Sequence, residues 1–435
     1  MKYALVNPRW SFEGSTYFGC RDPHLPLELL HAREELRKAG HSVQLVDAQM
    51  EALSSGEVSA RLKNFAADFI VMPTAPSYLF WRCPPPELRV PREWVSDLRA
   101  GSQAGAKFVL VGPHGSVTPA TTLRKTGADI VIRGEHDQIL PLLATQSWET
   151  ISGCCWQDAN GMHLSEGLGV TSMDDLSPMD LSDYPVELHT HKHHVFEHVE
   201  GLGAELEYAR GCPWSCSFCN KTLFRNKYRE RPIPVVLAEI DSLIARGVTY
   251  IYFIDEIFGV GKNVRTLLEE IAKRPLKIGF QTRIDLWDEE SFDLLGRAHA
   301  ISIECGIESI TEAGRKELNK NCRMSTDRIA ELLAYAKGRI PWVQANLIRT
   351  PQDDMAEVHA WQEELKAKGV WVSDPVPMFP FPGSPLYVQT FGAAPDDDAW
   401  ERAHRHYLSL FADRGFSDIQ EEKPVALEEL ECMSF

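Results

Sequence analysis

The chain has 435 residues, of which 44% are apolar and 25% are charged. This length exceeds that of an ordinary single domain, so we expect a globular protein with two domains. The formal net charge of -17 argues against sequence-independent binding to nucleic-acid backbones, because such binding requires clustered Lys and Arg. We therefore expect no nucleic-acid partner.

The sequence also lacks an uninterrupted apolar stretch of about 18 residues, so we expect neither a membrane span nor a membrane partner. The first ten residues, MKYALVNPRW, contain too short an apolar run for a signal peptide and have no small-residue cleavage site. We expect a cytoplasmic protein. In that reducing compartment, clustered cysteines serve metal binding or catalysis more often than disulfides.

Residues 1–150 alternate strand and helix patterns. The apolar positions of Leu27–Lys38 recur at helical spacing, and Gly40 stands where a helix stop is expected. Short strands separated by helices predict an α/β domain with a doubly wound, Rossmann-like parallel sheet. Ligands of such sheets bind at the carboxyl ends of the strands, so the loops at 73–78, 112–118 and 133–137 should form one crevice. The predicted strands are 3–7, 42–47, 68–73, 107–111 and 129–133.

Residues 151–200 are interpreted as a linker that ends in the histidine-rich stretch 189–198, which either binds metal or is a solvated connector. A second alternating block covers 201–390, and 391–435 form a C-terminal extension of unassigned role. Six successive strand–helix units predict a partial (β/α)6 barrel of the TIM type, with functional residues at its strand ends. The predicted strands are 204–210, 250–255, 277–283, 301–306, 343–348 and 371–378.

Three cysteines lie in one loop after the first strand of this block. The segment RGCPWSCSFCN places them at Cys212, Cys216 and Cys219. Thiolates are the usual ligands of iron–sulfur clusters, and three ligands leave one iron of a four-iron cluster with an open, catalytic position. Structural zinc is the alternative, and it needs a fourth ligand. The upstream residues that could supply it are His193, His194 and His198.

The CxxxCxxC spacing after the first strand of a partial barrel resembles the signature of radical S-adenosylmethionine (SAM) enzymes. The resemblance implies that the three cysteines hold a [4Fe–4S] cluster whose open iron chelates the methionine moiety of SAM. Reduction of the cluster then yields a 5′-deoxyadenosyl radical. The resemblance also implies an external electron donor such as a flavodoxin or a ferredoxin.

The same resemblance implies contacts to SAM near the cysteine loop and the second strand. Phe218, just before the third cysteine, matches the aromatic residue that packs near the adenine. Asp255 and Glu256 in YFIDEIF occupy the position where the family places acidic groups near the amino group of the cofactor.

Further contacts to SAM are implied at the third and fourth strands. Arg283 in RID ends the third strand, where a cation would pair with the cofactor carboxylate. Glu308 and Ser309 in ECGIES resemble the GxES pattern of the fourth strand. At the fifth strand the sequence departs from the family, because RTPQDD at 349–354 replaces the usual GxPGET-like turn.

The N-terminal half resembles the cobalamin-binding domains that are fused to many radical SAM enzymes. The matching segments are 25–48, LVGPHGSVTP at 110–119 and VIRGEHD at 131–137. Asp22 and His24 begin the DxHxxG pattern of histidine-ligated cobalamin, but Leu27 stands where glycine is required, so binding without histidine ligation is expected. The implied cobalamin contacts are Thr74, Gly112, His114, Ser116, Gly134 and Glu135.

These resemblances imply a cobalamin-dependent methyltransferase that acts on an unactivated carbon of a small molecule or peptide. SAM would serve as both radical source and methyl donor. A cyclase or rearrangement enzyme with the same cofactors is the first alternative. A tRNA methylthiotransferase-like enzyme would require a second N-terminal cluster and a basic C-terminal domain, whereas the tail here is acidic. A non-catalytic metal-binding protein is the last alternative.

Overall fold

The structure, a computed structural model of the full chain, describes residues 1–10, 23–77, 88–101, 105–189, 199–223 and 225–410. Asp22 and the histidines of 190–198, which the sequence analysis considers, lie outside these residues. Two compact units are distinguished. The first comprises Met1–Asp180, Asn220–Phe224 and Phe379–Phe435, and the second comprises Leu181–Cys219 and Arg225–Met378.

The strands are numbered in chain order as β1 (Lys2–Asn7), β2 (Ser42–Asp47), β3 (Phe69–Pro73), β4 (Lys107–Val111), β5 (Ile130–Ile132), β6 (Cys154–Asp158), β7 (Gly161–His163), β8 (Leu202–Leu206), β9 (Ala209–Arg210), β10 (Arg229–Glu230), β11 (Val248–Phe253), β12 (Lys277–Thr282), β13 (Ala300–Glu308), β14 (Trp342–Leu347) and β15 (Trp371–Val372). The α-helices are α1 (Leu27–Lys38), α2 (Ser55–Leu62), α3 (Arg89–Ala100), α4 (Pro113–Val117), α5 (Pro119–Thr126), α6 (Ile233–Ala245), α7 (Val264–Ile271), α8 (Glu289–Arg297), α9 (Glu312–Glu317), α10 (Thr326–Lys337), α11 (Met355–Ala367), α12 (Pro385–Phe391) and α13 (Ala399–Ser409).

The sheet of the first unit has the order β2-β1-β3-β4-β5-β6-β7. The first five of these strands pair in parallel. The interior residues of β1, β3, β4 and β5 are buried on both faces, as expected for a parallel sheet covered by helices, whereas the edge strand β2 is partly exposed. The order 2-1-3-4-5 is one of the two common doubly wound arrangements, and it confirms the predicted fold class. The order in which successive strands are added to the sheet reverses between β1 and β3, and ligands of such sheets bind at this switch point.

An antiparallel hairpin extends this sheet where the sequence analysis expects irregular chain. Strands β6 and β7 pair with each other through a two-residue loop, and β6 pairs with β5. The segment after the hairpin lies over α1, where the Ser177 amide donates to Glu35 and the Arg33 guanidinium donates to the Asp180 carbonyl. The stretch 151–200, which the sequence analysis interprets as a linker, therefore contains a regular hairpin at its start.

The second unit contains six strands that pair in parallel in chain order, β8-β11-β12-β13-β14-β15. This arrangement confirms the predicted partial barrel. The strands alternate between an apolar face with Phe253 and Phe280 and a polar face, on which the Tyr252 hydroxyl donates to Glu304 at 2.9 Å. Strands β9 and β10 form a separate antiparallel ribbon. Among the described residues, no helix is both long enough and apolar enough to cross a bilayer.

Candidate cluster and cofactor sites

The cysteine loop is closed at its base by the ribbon of β9 and β10. In this ribbon the backbone of Arg210 lies opposite that of Arg229. The Cys212 amide donates to the Arg225 carbonyl at 3.1 Å. Within the loop, the Cys219 amide donates to the Cys216 carbonyl at 3.2 Å. The three cysteines are half-buried, as cluster ligands beside an open iron position need to be.

Gly211 is required at the start of this loop. Its φ is +88°, in the left-handed region that favours glycine. A Cβ atom at this position would lie 2.1 Å from the Lys227 carbonyl oxygen and 3.0 Å from the Arg225 carbonyl oxygen. No side chain fits there, so the loop geometry depends on glycine next to the first cysteine.

A buried network of ion pairs contacts the start of the cysteine loop at Gly211. Glu256 accepts the Gly211 amide at 2.7 Å with one oxygen and pairs with Arg225 at 2.5 Å through the other. Glu207 pairs with Arg210 at 2.7 Å and with Arg225 at 3.4 Å. These charges are almost fully removed from solvent, so loss of one partner would leave the other buried without its counter-charge. The sequence analysis assigns Glu256 to SAM, whereas here it anchors the loop.

Asp255 also contacts backbone next to the loop. Its two carboxylate oxygens accept the amides of Tyr208 and Ala209 at 2.8 and 3.0 Å. Burial raises the pKa of Asp255 well above its ordinary value, and the negative charges of Glu207 and Glu256 raise it further. The two backbone hydrogen bonds oppose this rise but do not cancel it.

Glu308 ends β13 in a strained conformation. Its φ is +69°, which is rare for a residue with a side chain and which clusters at functional sites. The Lys320 ammonium donates to its carboxylate at 3.0 Å, and both side chains are largely buried. A Cβ on Gly306 would lie 2.4 Å from this carboxylate, so the glycine gives Glu308 its space.

Ser309 contacts the segment that departs from the family pattern. Its hydroxyl donates to Asp353 at 2.7 Å, and Thr311 donates to the same carboxylate oxygen at 2.8 Å. Thr311 in turn caps α9 by accepting the Gly314 amide. The structure therefore gives Ser309 a role in joining the ends of β13 and β14.

The remaining predicted SAM contacts are placed as follows. Phe218 is half-buried in the cysteine loop. Arg283 is buried at the end of β12, where its guanidinium pairs with Asp285 at 2.7 Å and lies 4.5 Å from the Trp214 ring centroid. Burial by itself would lower the pKa of Arg283, but hydrogen bonding to Asp285 and the negative charges of Asp285 and Cys216 raise it.

Over the described ranges, no three His, Cys, Asp or Glu side chains form a ready-made metal-binding group. The assignment of the cysteines to a cluster rests on their spacing and their position in the fold.

In the first unit, the loop after β4 is built around two glycines and a serine. Gly112 has φ +124°, and its carbonyl accepts the Ser116 hydroxyl at 2.8 Å. The Ser116 oxygen also accepts the Gly134 amide at 2.9 Å, which ties this loop to the one after β5. A Cβ on Gly115 would lie 2.4 Å from Val131, so the first turn of α4 packs directly on β5.

The loop after β5 contacts the chain that follows the hairpin. Gly134 has φ +80°, and a Cβ there would lie 2.5 Å from the Gly169 carbonyl oxygen. Glu135 accepts the Thr171 amide at 2.7 Å, and Asp137 accepts the Thr171 hydroxyl at 2.8 Å. These contacts have a structural role, and an additional role in cofactor binding stays a prediction.

Thr74 follows β3, next to the point where the strand order of the sheet reverses. It is fully buried, and its hydroxyl has no hydrogen-bond partner among the described residues. A buried polar group without a partner costs free energy, so such a group is expected to meet a ligand or water. Its position and chemistry fit the edge of a cofactor crevice.

The C-terminal extension contributes to the same unit, which the sequence analysis did not foresee. The ring centroids of His114 and Trp400 are 4.3 Å apart, and the Trp400 indole donates to the Thr118 hydroxyl at 3.0 Å. Asp397 accepts the Thr121 hydroxyl at 2.6 Å and pairs with Arg124. Helix α13 therefore covers the start of α4 and α5, where the predicted cobalamin loop lies.

Comparison with known proteins identifies two family models in the chain. A model of the radical SAM superfamily matches residues 206–361, which include the cysteine loop. A model of the B12 binding domain matches residues 21–144 of the doubly wound unit.

Three similar proteins illustrate the match. The chain is 26% identical over 374 residues to hopanoid C-3 methylase from Methylococcus capsulatus, covering 81% of this chain and 67% of that protein. It is 23% identical over 348 residues to anaerobic magnesium-protoporphyrin IX monomethyl ester cyclase from Cereibacter sphaeroides, covering 76% of this chain and only 54% of that protein. The third is TsrM from Kitasatospora setae, a radical SAM methyltransferase solved with cobalamin and a [4Fe–4S] cluster bound. It superposes with a TM-score of 0.72 at 17% identity, covering 89% of this chain and 77% of that one.

The likeness to TsrM shows a shared fold, and the two family models explain its two parts. One model covers the cysteine loop and the parallel strands β11 to β14, and the other covers β2 to β5 of the doubly wound sheet. The predicted family is thereby confirmed: the chain belongs to the radical SAM superfamily and carries a B12 binding domain ahead of its radical SAM domain.

Proposed function

We propose that the protein is a cobalamin-dependent radical SAM methyltransferase that acts on an unactivated carbon of a small molecule or peptide. The observation that carries this proposal is the joint presence of a glycine-anchored cysteine loop at the end of β8 and a doubly wound unit that matches the B12 binding domain. The similarity to hopanoid C-3 methylase, which extends over 81% of this chain, supports methyl transfer.

The residues of the second unit fit a cluster and SAM in distinct ways. Cys212, Cys216 and Cys219 would hold the cluster, which supplies the electron that cleaves SAM when both are bound. Glu256 and Arg225 fix the base of the cysteine loop. Glu308, strained and paired with Lys320, stands where SAM is proposed to bind.

The residues of the first unit fit cobalamin at the carboxyl edge of its sheet. Thr74 offers a buried hydroxyl, and Gly112 presents backbone without a side chain. His24 is buried, and we propose that it does not ligate the cobalt. Because cobalamin would then lack a histidine ligand, it would carry the methyl group in a form suited to transfer to a substrate radical.

A cyclase reaction is the second candidate, supported by the similarity to the magnesium-protoporphyrin IX monomethyl ester cyclase. That relative extends well beyond this chain, which spans only 54% of it. We further propose a flavodoxin or ferredoxin as electron donor and a cytoplasmic location, because a reducing compartment preserves thiolate ligands.

The two candidates differ in the mass of the product. We expect that the reconstituted protein, supplied with a reductant, cobalamin and SAM carrying a deuterated methyl group, transfers that methyl group to its substrate. Mass spectrometry of candidate substrates incubated without oxygen measures this directly. A product with the same number of carbon atoms as the substrate, with or without loss of hydrogen, would contradict methyl transfer and favour the cyclase reaction.

A further prediction concerns helix α13. Trp400→Ala removes the ring that packs on His114 and the hydrogen bond to Thr118. The loop at 112–118 should lose its support, and we expect hydroxocobalamin to bind about tenfold more weakly, which corresponds to ~1.4 kcal/mol. Absorption titration measures the affinity.

Trp361→Ala is the matched control for Trp400→Ala. Trp361 is similarly buried but lies on α11 in the second unit, so its loss costs packing there without touching the loop at 112–118. Equal cobalamin affinity of the wild type and Trp400→Ala would remove α13 from the cofactor site.

A further inference from the structure

Arg283 is held by three different parts of the second unit. Its Nε and Nη2 donate to the two oxygens of Asp285 at 2.9 and 2.7 Å, and its Nη1 donates to the Lys320 carbonyl at 2.6 Å. The guanidinium lies 4.5 Å from the ring centroid of Trp214, within the range of a cation–π contact. Trp214 stands between Cys212 and Cys216, so the cation is fixed against the cysteine loop itself.

The segment after α9 contacts the same loop. The Leu318 carbonyl accepts the Ser217 amide at 3.0 Å, and the Asn319 side chain donates to the Ser215 carbonyl at 2.7 Å. Asn319 has φ +52°, a left-handed conformation that Asn tolerates better than most residues. The next residue, Lys320, provides the carbonyl that binds Arg283, so the loop, this segment and Arg283 form one assembly.

We propose that Arg283 is a positioning residue that holds a fixed positive charge against the cysteine loop and raises the reduction potential of the cluster bound there. This inference rests on the proposed function, because it requires a cluster on the three cysteines. It differs from the expectation that Arg283 pairs with the SAM carboxylate, since its two outer nitrogens and its Nε are directed to Asp285 and to the Lys320 carbonyl.

The physical reason is electrostatic. Reduction adds one negative charge to the cluster, and a nearby cation in a poorly solvated environment stabilises the reduced form. Asp285 compensates this cation, but the guanidinium is the member of the pair that contacts Trp214. Removal of the cation and removal of its counter-charge should therefore shift the potential in opposite directions.

The experiment is a redox titration of the reconstituted full chain without SAM, followed by electron paramagnetic resonance. We expect Arg283→Gln to lower the midpoint potential, Asp285→Asn to raise it and Arg283→Lys, which keeps the charge, to remain close to the wild type. We also expect Arg283→Gln to keep its affinity for SAM, measured by equilibrium binding. If Arg283 instead paired with the SAM carboxylate, that affinity would fall by about tenfold to a hundredfold.

Each outcome decides the proposal. Unchanged potentials in both Arg283→Gln and Asp285→Asn overturn it, as does a loss of SAM affinity with an unchanged potential. If Arg283→Gln fails to hold a cluster, the midpoint potential of Asp285→Asn decides: a higher potential than that of the wild type supports the proposal, and an equal or lower one overturns it. Absence of a cluster from the wild type would refute the proposed function itself, which separates the two failures.

Discussion

Cys216→Ala should abolish the cluster and with it every reaction that starts from SAM. Cys216 is the middle ligand of the three and lies in the loop that Leu318 and Asn319 hold through Ser217 and Ser215. Two remaining thiolates cannot hold a cluster with one open iron, because two irons would then lack protein ligands. We expect loss of the absorption near ~400 nm that is typical of such clusters, and no 5′-deoxyadenosine after reduction, as measured by chromatography.

Cys305→Ala is the matched control for this variant. Cys305 lies within β13 and outside the CxxxCxxC segment, and it is fully buried. Burial raises the pKa of its thiol to about 12, so it stays protonated at neutral pH. This variant should retain the cluster and form 5′-deoxyadenosine. A Cys216→Ala protein that kept a complete cluster and full turnover would show that the ligands are other residues.

Gly211→Ala should have the second largest effect. The new Cβ would lie 2.1 Å from the Lys227 carbonyl oxygen, so either the β9–β10 ribbon or the first cysteine must shift. The φ of +88° adds a backbone strain of roughly 1–2 kcal/mol. We expect the variant to lose most of its cluster content, as measured by iron and labile sulfide analysis after anaerobic reconstitution.

Gly247→Ala is the control that distinguishes backbone strain at a positive φ from steric overlap of the new Cβ with a neighbouring residue. Gly247 has the same φ of +88°, but no atom of the described part of the chain lies within 4 Å of the position that a Cβ would take. The control should therefore be destabilised by a similar backbone strain while retaining its cluster. Equal cluster content in the two variants would mean that contact with Lys227 does not position the loop.

Much of the fold could be predicted from the sequence because its signals are local. The apolar runs that became β1 to β5 and β11 to β14 end at glycines, prolines or polar residues, and their spacing identifies parallel strands separated by helices. The spacing of the cysteines led to the family that the comparisons confirm. The hairpin of β6 and β7 was missed even though the dipeptide Asn160-Gly161 is a common turn signal in sequences. In the structure the loop is Ala159-Asn160, and Gly161 pairs with Asp158.

Other features depend on contacts between residues far apart in the chain. The packing of Trp400 on His114 joins positions separated by about two thirds of the chain, and no periodicity in either segment indicates it. The contact of Asn319 with Ser215 likewise depends on how α9 ends. For Arg283 and Glu256, the sequence predicted positions beside the site, but only coordinates show that they bind Asp285 and the Gly211 amide.

The central claim is that one chain holds both a radical-generating cluster and cobalamin. The most direct measurement is the iron and cobalt content of the anaerobically reconstituted full chain, together with 5′-deoxyadenosine formed after reduction in the presence of SAM. The account predicts one four-iron cluster and one cobalamin per chain, with 5′-deoxyadenosine lost in Cys216→Ala but not in Cys305→Ala. A protein that binds the cluster but no cobalamin, or that forms no 5′-deoxyadenosine with both bound, would contradict it.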